Sequence, residues 1–304
     1  MNALEITNLT KIYHNGFQAL KGITLSVEKG DFFALLGANG AGKSTTIGII
    51  TSLVNKTSGQ VKVFDHDLDR EPNDVKSCIG LVPQEFNCNI FEKCEDVLCT
   101  QAGYYGLPKA QAKERAQYYL QQLSLWEKRR EVVRALSGGM KRRLMIARAL
   151  VHQPKILILD EPTAGVDIEI RHTMWDFLLD LNQSGTTIIL TTHYLEEAEK
   201  LCRNIAMIKQ GEIALQGKMK DVLQFNKMKT FTIELDKDLN ELPEFKTFQA
   251  NKLAEANKLE IVTDNHQSLN SIFDELTQHK LNVIHFQQEQ NQLEKLFLGL
   301  LHNE

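Results

Sequence analysis

The sequence predicts an α/β fold with a largely parallel central sheet, followed by a small α+β unit. From Leu4 to about Gln216, short apolar strands alternate with helical stretches, the texture of a sheet crossed by helices. Several of those strands are apolar throughout, which suits strands covered on both faces. After about Lys227 the alternation gives way to a run of strand-like segments, so a second unit begins there. The boundaries that follow are 1–225 for the large domain, with a helical subdomain over about 85–150, and 229–304 for the small one.

In the large domain the strand candidates include Phe32–Leu36, Cys78–Val82, Ile156–Leu159 and Thr186–Thr191, each ending one or two positions before a residue able to carry chemistry. The helix after Phe32–Leu36 should continue to about Leu53. Between Gln84 and Ser137 the texture turns helix-rich: Gln101, Lys109 to Gln122 and the charge run Glu127 to Arg130 are interleaved with Tyr104, Tyr105, Tyr118 and Leu120. The aromatics are expected in the core of this insert, and Lys128, Arg129 and Arg130 on a solvated face. In the second unit Thr230–Leu235, Phe245–Ala250, Leu259–Val262 and Asn282–Gln287 read as strands, with helices over Ser268–His279 and Asn291–Leu301. No catalytic cluster stands out there, so a regulatory or dimerisation role is expected.

At 304 residues and 42% hydrophobic, the chain can bury at least one good core. Its 35 Lys+Arg against 39 Asp+Glu leave a net charge of -4, so no global field draws it to a phosphate backbone, and nucleic acid is not an expected partner. The N-terminus, MNALEITNLTKIY, lacks the basic start and apolar core of a secretory signal, and the apolar runs fall far short of the roughly 20 residues that span a bilayer. A cytoplasmic location is the expectation. Five cysteines, at 78, 88, 94, 99 and 202, make no disulfide framework and carry no C-x-x-C pairing of a metal knuckle.

The chemistry begins at Gly37, Ala38, Asn39, Gly40, Ala41, Gly42, Lys43, Ser44 and Thr45, which fit G-x-x-x-x-G-K-[ST] between a strand and a helix. Such a loop cradles phosphates: its glycines let N–H groups point inward, the helix N-terminus adds positive potential, Lys43 supplies a mobile cation and Ser44 a Mg²⁺ ligand. The strand Ile156–Leu159 runs into Asp160 and Glu161, at the strand end where open α/β sheets bind ligands. Asp160 would hold Mg²⁺ through water and Glu161 would polarise an attacking water, because phosphoryl transfer depends on positioning and charge neutralisation. Thr186–Thr191 leads to Thr192 and His193, a neutral donor suited to orienting a γ-phosphate, the water and Glu161 together. Ser137 is a good N-cap for a helix running to about His152, and Gly138 and Gly139 permit close approach to an anion. On that helix Met140, Leu144, Ala147 and Val151 share a face expected to be buried, with Lys141, Arg142, Arg143 and Arg148 mostly elsewhere.

LSGGM at Leu136–Met140, the phosphate loop, VPQ at Val82–Gln84, ILILDEPTAGVD at Ile156–Asp167 and TTH at Thr191–His193 resemble the nucleotide-binding subunits of ABC transporters in order and spacing. The resemblance covers residues 1 to about 220. It implies a P-loop NTPase fold of the ABC ATPase kind, with a mostly parallel core sheet, antiparallel N-terminal strands and a helical insert. It also implies a homodimer that sandwiches ATP and Mg²⁺, so that Ser137, Gly138 and Gly139 act in trans on nucleotide held by the other chain's phosphate loop. Gln84 becomes the loop glutamine that senses Mg²⁺ and the attacking water, and Asp167 the aspartate of the dimer-interface loop. Tyr13 becomes the aromatic that stacks adenine, with Phe17 as a nearby competitor.

Ala38 stands where proline is frequent in that family, and Met140 where glutamine is commonest. LSGGMKRRL followed by AGVD is similar to the branch whose membrane subunits are of the ABC-2 exporter type. The resemblance therefore implies an ATPase docked on a separately encoded membrane permease, peripheral at the inner face of the cell membrane. The alternative is a soluble ABC ATPase with a non-membrane partner; a non-catalytic sensor is opposed by the intact Glu161 and His193. The segment from Gln84 to about Leu107 is expected to form the groove for the permease's cytoplasmic helix, with Phe86 and Phe91 left open between core and docking patch.

Overall fold

The computed structural model describes residues 1–224, 228–239, 242–264, 267–288 and 293, and the chain divides into two compact units, Met1–Met219 and Lys220–Glu304. The first opens with β1 (Asn2–Ile12) and β2 (Gln18–Glu28), paired antiparallel. In β2, Ile23, Leu25 and Val27 are buried while Thr24, Ser26 and Glu28 face outward, the two-residue period of a half-covered strand. By contrast β3 (Phe32–Leu36) is buried at every position. A glycine-rich loop leads from it into α1 (Lys43–Ile50), and β4 (Ser58–Val63) and β5 (His66–Asp67) complete an N-terminal sheet of order β2-β1-β4-β5.

Helix α1 stops short of the expected Leu53. Ser52 takes a left-handed φ of 61°, and the Leu53 and Val54 N–H groups turn back to donate to the Gly48 carbonyl at 2.7 and 2.9 Å. Next, α2 (Pro72–Cys78) delivers β6 (Ile79–Val82), so Cys78 closes a helix rather than opening the strand.

The helical insert is built from α3 (Cys94–Tyr104) and α4 (Lys109–Gln122), followed by α5 (Gly138–Leu150). Its aromatics do not all enter the core: Tyr119 is buried, but Tyr104 and Tyr118 are 82% and 54% exposed. The inward stripe of α4 is already filled by Ala112, Ala116, Tyr119 and Leu120, and a residue adjacent to a buried one on a helix points about 100° away. The charge run is satisfied locally, with Lys128 paired to Glu131 at 2.8 Å and the Arg129 guanidinium 4.2 Å from the Trp126 ring centroid.

The chain continues through β7 (Ile156–Asp160), α6 (Ile168–Gln183), β8 (Thr187–Thr191), α7 (Leu195–Leu201), β9 (Asn204–Lys209) and β10 (Glu212–Lys218). These strands form a six-stranded sheet, β10-β9-β3-β8-β7-β6, parallel except for the antiparallel edge strand β10. The shared direction gathers the C-terminal ends of β3, β8, β7 and β6 along one rim, where the loops carrying the predicted chemistry emerge. Helix α8 (Met219–Gln224) follows. No described helix is long and apolar enough to cross a membrane.

In the second unit β11 (Met228–Leu235), β12 (Gln249–Lys252), β13 (Lys258–Asp264), α9 (Leu269–Gln278) and β14 (Val283–Gln288) build an antiparallel sheet of order β12-β13-β11-β14. Phe231, Ile233, Leu259 and Ile261 pack against Ile272 and Leu276 of α9. The expected strand at Phe245–Ala250 is displaced to β12. Lys246 and Thr247 donate their N–H groups to the Glu275 carboxylate at 2.5 and 3.1 Å instead of to a strand ladder. The helix expected at Asn291–Leu301 lies outside the described residues, apart from the buried Leu293.

Candidate functional site

The phosphate loop is shaped by glycines where nothing larger fits. Gly42 sits at φ 118°, and a Cβ there would lie 2.8 Å from Leu20 Cδ2; one on Gly37 would lie 2.4 Å from the Ile208 carbonyl. Gly42 N-caps α1 without a side-chain hydrogen bond, which leaves the first-turn N–H groups directed at the loop. Lys43 is 8% exposed, and its ammonium donates to the Gly37 and Ala38 carbonyls at 2.6 and 3.1 Å. Burial pulls its pKa below the ordinary lysine value, while the Glu161 and Asp160 carboxylates oppose the shift. The lysine thus feels the charge of both carboxylates predicted for the chemistry.

The rim brings Gln84, Glu161 and His193 together from three loops. Gln84 Nε2 donates to Glu161 Oε2 at 3.0 Å, and His193 Nδ1 lies 3.2 Å from the same oxygen. The Gln84 hydrogen bond ties that oxygen down, and the His193 ring nitrogen stands beside it within ion-pair distance. Because a carboxylate only accepts, Gln84 must present its amide nitrogen there, so its oxygen is the atom it could offer to a cation. A neutral His193 that turned an Nδ1–H to Glu161 would leave Nε2 as an acceptor, and only the imidazolium would donate from both nitrogens. Glu161 itself has a left-handed φ of 49°, an uncommon conformation for a residue with a side chain and one that clusters at functional sites. Its N–H donates to the Thr191 carbonyl at 3.0 Å, while the Thr191 hydroxyl donates to Asp160 Oδ1. Ser44, Asp160 and Gln84 each carry a side-chain oxygen, the kind of donor a hard cation such as Mg²⁺ takes.

Sequence reasoning missed Arg142. The helix pattern puts it mostly away from the buried face of α5, yet it is 8% exposed, and among the described residues its guanidinium donates to backbone carbonyls alone. Nη1 reaches Pro83 and Gln84 at 2.6 and 3.3 Å, Nη2 reaches Asp160 at 3.1 Å and also Glu161, and Nε reaches Pro162 at 2.7 Å. The signal was present in the helix period: Met145, Ile146 and Ala149, one and two turns on, form a second buried face. Glu197 was missed as well. It is fully buried on α7 and accepts from the Thr163 hydroxyl at 3.0 Å and from Trp175 Nε1 at 2.9 Å, tying the loop after Pro162 to α6.

The remaining predicted residues stand apart from this cluster. Ser137 caps α5 by accepting from the Met140 N–H at 3.3 Å, and with Gly138 it is exposed. Among the described residues no hydrogen bond joins 137–139 to the phosphate loop of the same chain. Asp167 caps α6, accepting from the Ile170 N–H at 2.9 Å. Tyr13 approaches the loop through a 3.2 Å hydrogen bond between its hydroxyl and that of Thr45, and Lys11 lies over its ring at 4.8 Å. Phe17 is 56% exposed.

Beside the rim, a groove of about 360 Å³ is lined by Leu53, Pro83, Asn87, Tyr105, Arg148 and His152 among others. Phe86 and Phe91 are not among its walls; Phe91 is 67% exposed, beneath the Arg134 guanidinium. His152 stacks on Tyr105 with ring centroids 3.6 Å apart, and its Nε2–H donates to the Ile79 carbonyl at 3.1 Å. Burial pushes the His152 pKa down to about 4, against the hydrogen bond to Ile79. Arg148 fixes the groove wall by donating to the Asn87 carbonyl and side-chain oxygen at 3.1 and 2.6 Å.

Comparison with known proteins agrees with this geometry. The ABC transporter family model matches residues 20–164. The linearmycin resistance ATP-binding protein LnrL of Bacillus subtilis (strain 168) is 36% identical over 98% of this chain and 97% of its own length. The Nod factor export ATP-binding protein I of Ralstonia nicotianae is 38% identical over 72% of this chain and 68% of its own. Among solved structures, an ATP-binding subunit of an ABC transporter matches with a TM-score of 0.68 at 28% identity, over 73% of this chain and 92% of that one. A dimeric ATP-binding cassette in a post-hydrolysis state, bound to ADP and Pi, matches with a TM-score of 0.66 at 28% identity, over 71% of this chain and 98% of that one. Phosphate loop, paired strand-end carboxylates and whole-length similarity converge: the chain belongs to the ABC transporter ATP-binding subunits, binding and hydrolysing ATP to drive transport.

Proposed function

We propose that two copies of this chain sandwich two ATP molecules and together drive a separate membrane permease in export. The observation that carries the reading is the convergence of Gln84 and His193 on one oxygen of Glu161, beside the phosphate loop. In each site residues 37–45 wrap the phosphates, Lys43 exchanges its carbonyl partners for phosphate oxygens, and Tyr13 stacks the adenine. Ser44, Gln84 and Asp160 would hold Mg²⁺, which when bound neutralises developing charge on the phosphates. Glu161 then accepts a proton from the attacking water, and His193 orients Glu161 against the γ-phosphate. Ser137, Gly138 and Gly139 close the site from the second chain, and Asp167 lies at that interface. Export is favoured by the resistance and export relatives, and docking through the groove at Leu53 and Tyr105 would put the chain at the inner face of the membrane.

The two-chain site is tested by mixing Lys43→Ala chains with Ser137→Arg chains. Two-fold symmetry then yields heterodimers with one intact site and one doubly broken site. Partial turnover and ATP-driven dimerisation should return in the mixture and be absent from either variant alone, although the Ser137→Arg chain still binds ATP through its own phosphate loop. A mixture that neither turns over ATP nor dimerises beyond its components would place both halves of the site in one chain and refute the proposal.

A further inference from the structure

Helix α5 carries two different loads. Its exposed N-terminus presents Ser137 and Gly138, while Arg142, just past Met140, is buried against two strand ends. The carbonyls that Arg142 holds belong to Pro83 and Gln84 after β6, and to Asp160, Glu161 and Pro162 at the end of β7. Gln84 and Glu161 are also the residues whose side chains meet at 3.0 Å, and Pro162 begins the loop that runs to Asp167. A planar guanidinium with five N–H groups suits this arrangement, whereas an ammonium offers three donors from one atom. Burial without a carboxylate hydrogen bond is costly for a cation, so the carbonyl set must stay assembled for Arg142 to remain solvated by protein.

We propose that Arg142 is a positioning residue that couples the two nucleotide sites of the dimer, by tying the helix that closes the partner's site to the backbone of Gln84 and Glu161 in its own. The inference rests on the reading that Ser137–Gly139 serve nucleotide bound to the other chain. A rigid α5 cannot shift onto the partner's phosphates without pulling on these five carbonyls. Conversely, a cation and water seated at Gln84 and Glu161 set where the helix N-terminus stands. This gives each nucleotide a differential contact with the open and closed arrangements, as coupling requires.

The test uses the full chain carrying Arg142→Gln or Arg142→Lys, with melting curves to verify folding. Three quantities are read: ATP affinity of the dilute monomeric chain, the rate and Hill coefficient of hydrolysis, and the ATP concentration that half-dimerises the chain in a Glu161→Gln background. For Arg142→Gln, monomer affinity should stay within about twofold, the Hill coefficient should fall towards one, and the dimerisation midpoint should rise about tenfold or more, within the usual range of site coupling. Arg142→Lys should fall between wild type and Arg142→Gln on both coupled readouts; if Arg142→Gln does not fold, the lysine variant decides. A loss of turnover with an unchanged Hill coefficient and an unchanged dimerisation midpoint would confine Arg142 to local support and overturn the proposal. Ser137→Arg in the same Glu161→Gln background separates the two ideas. If it leaves dimerisation intact, the two-chain site itself fails; if it abolishes dimerisation while the Arg142 variants do not shift it, only the coupling fails.

Discussion

Replacing Glu161 by glutamine changes one charge and almost no volume. Gln84 Nε2 donates to Oε2 at 3.0 Å, with His193 Nδ1 3.2 Å from the same oxygen, so the new side chain must place its amide oxygen there and its NH₂ at the Oε1 position. The Gln84 hydrogen bond survives but loses charge assistance, a difference of about 1 kcal/mol of stability. For a domain of this size that corresponds to a melting shift of roughly 2–4 °C, so the fold persists. ATP affinity should hold or tighten, because one negative charge near the triphosphate is gone while Lys43 keeps the Asp160 carboxylate nearby. The loss falls on catalysis: the NH₂ at Oε1 cannot accept a proton from water, costing about 10²- to 10⁴-fold in rate. Phosphate release followed beside size exclusion with ATP should show slow turnover and a dimer that accumulates. Hydrolysis at the wild-type rate would remove Glu161 from the chemistry, and loss of ATP binding would make it a nucleotide ligand instead.

Leu53 lines the groove and is 73% exposed, so Leu53→Glu should weaken co-purification with the membrane permease about tenfold or more, the scale of one lost buried leucine, with fold and basal ATPase unchanged. Unaltered assembly would move the docking site elsewhere. His152 has a pKa of about 4 in the fold against 6.5 for the free side chain, so the unfolded chain binds the extra proton between those values. Stability from this group is therefore complete above about pH 6.5 and is lost as pH falls towards 4, by about 2 kcal/mol once solvent screening is allowed for. Urea midpoints across that window should slope less in His152→Gln than in the wild type, and equal slopes would show that the ring is protonated freely in the fold.

The local motifs were legible because each writes its physics in adjacent residues. Glycines at 37, 40 and 42 announce a loop with unusual backbone angles, and an apolar strand ending in Asp160 and Glu161 announces a buried edge with charge at its tip. Arg142 was illegible for the opposite reason: its partners are carbonyls, which have no letter in the sequence, and they lie on strands far along the chain. The same holds for Glu275, which accepts from the Lys246 and Thr247 N–H groups and so displaces the strand expected over Phe245–Ala250. Tyr104 and Tyr118 misled because composition says that an aromatic wants cover but not whether the stripe it would join is already full. The convergence of Gln84 with Glu161 required knowing that β6 and β7 are neighbours, a fact of topology rather than of pattern.

That topology also governs how the site comes into being. Strand β3 lies between β8 and β9, pairing Phe32 with Ile188 and Phe33 with Asn204. On the ribosome, Phe32–Leu36 and the loop it feeds therefore emerge long before either neighbour has been synthesised, leaving two apolar strand edges to wait unpaired. The antiparallel pair β1 and β2 forms from local contacts and has no such delay. A nascent chain ending before Lys209 should hold the complete phosphate-loop sequence and yet bind no nucleotide, and during that interval chaperone capture competes with misassembly.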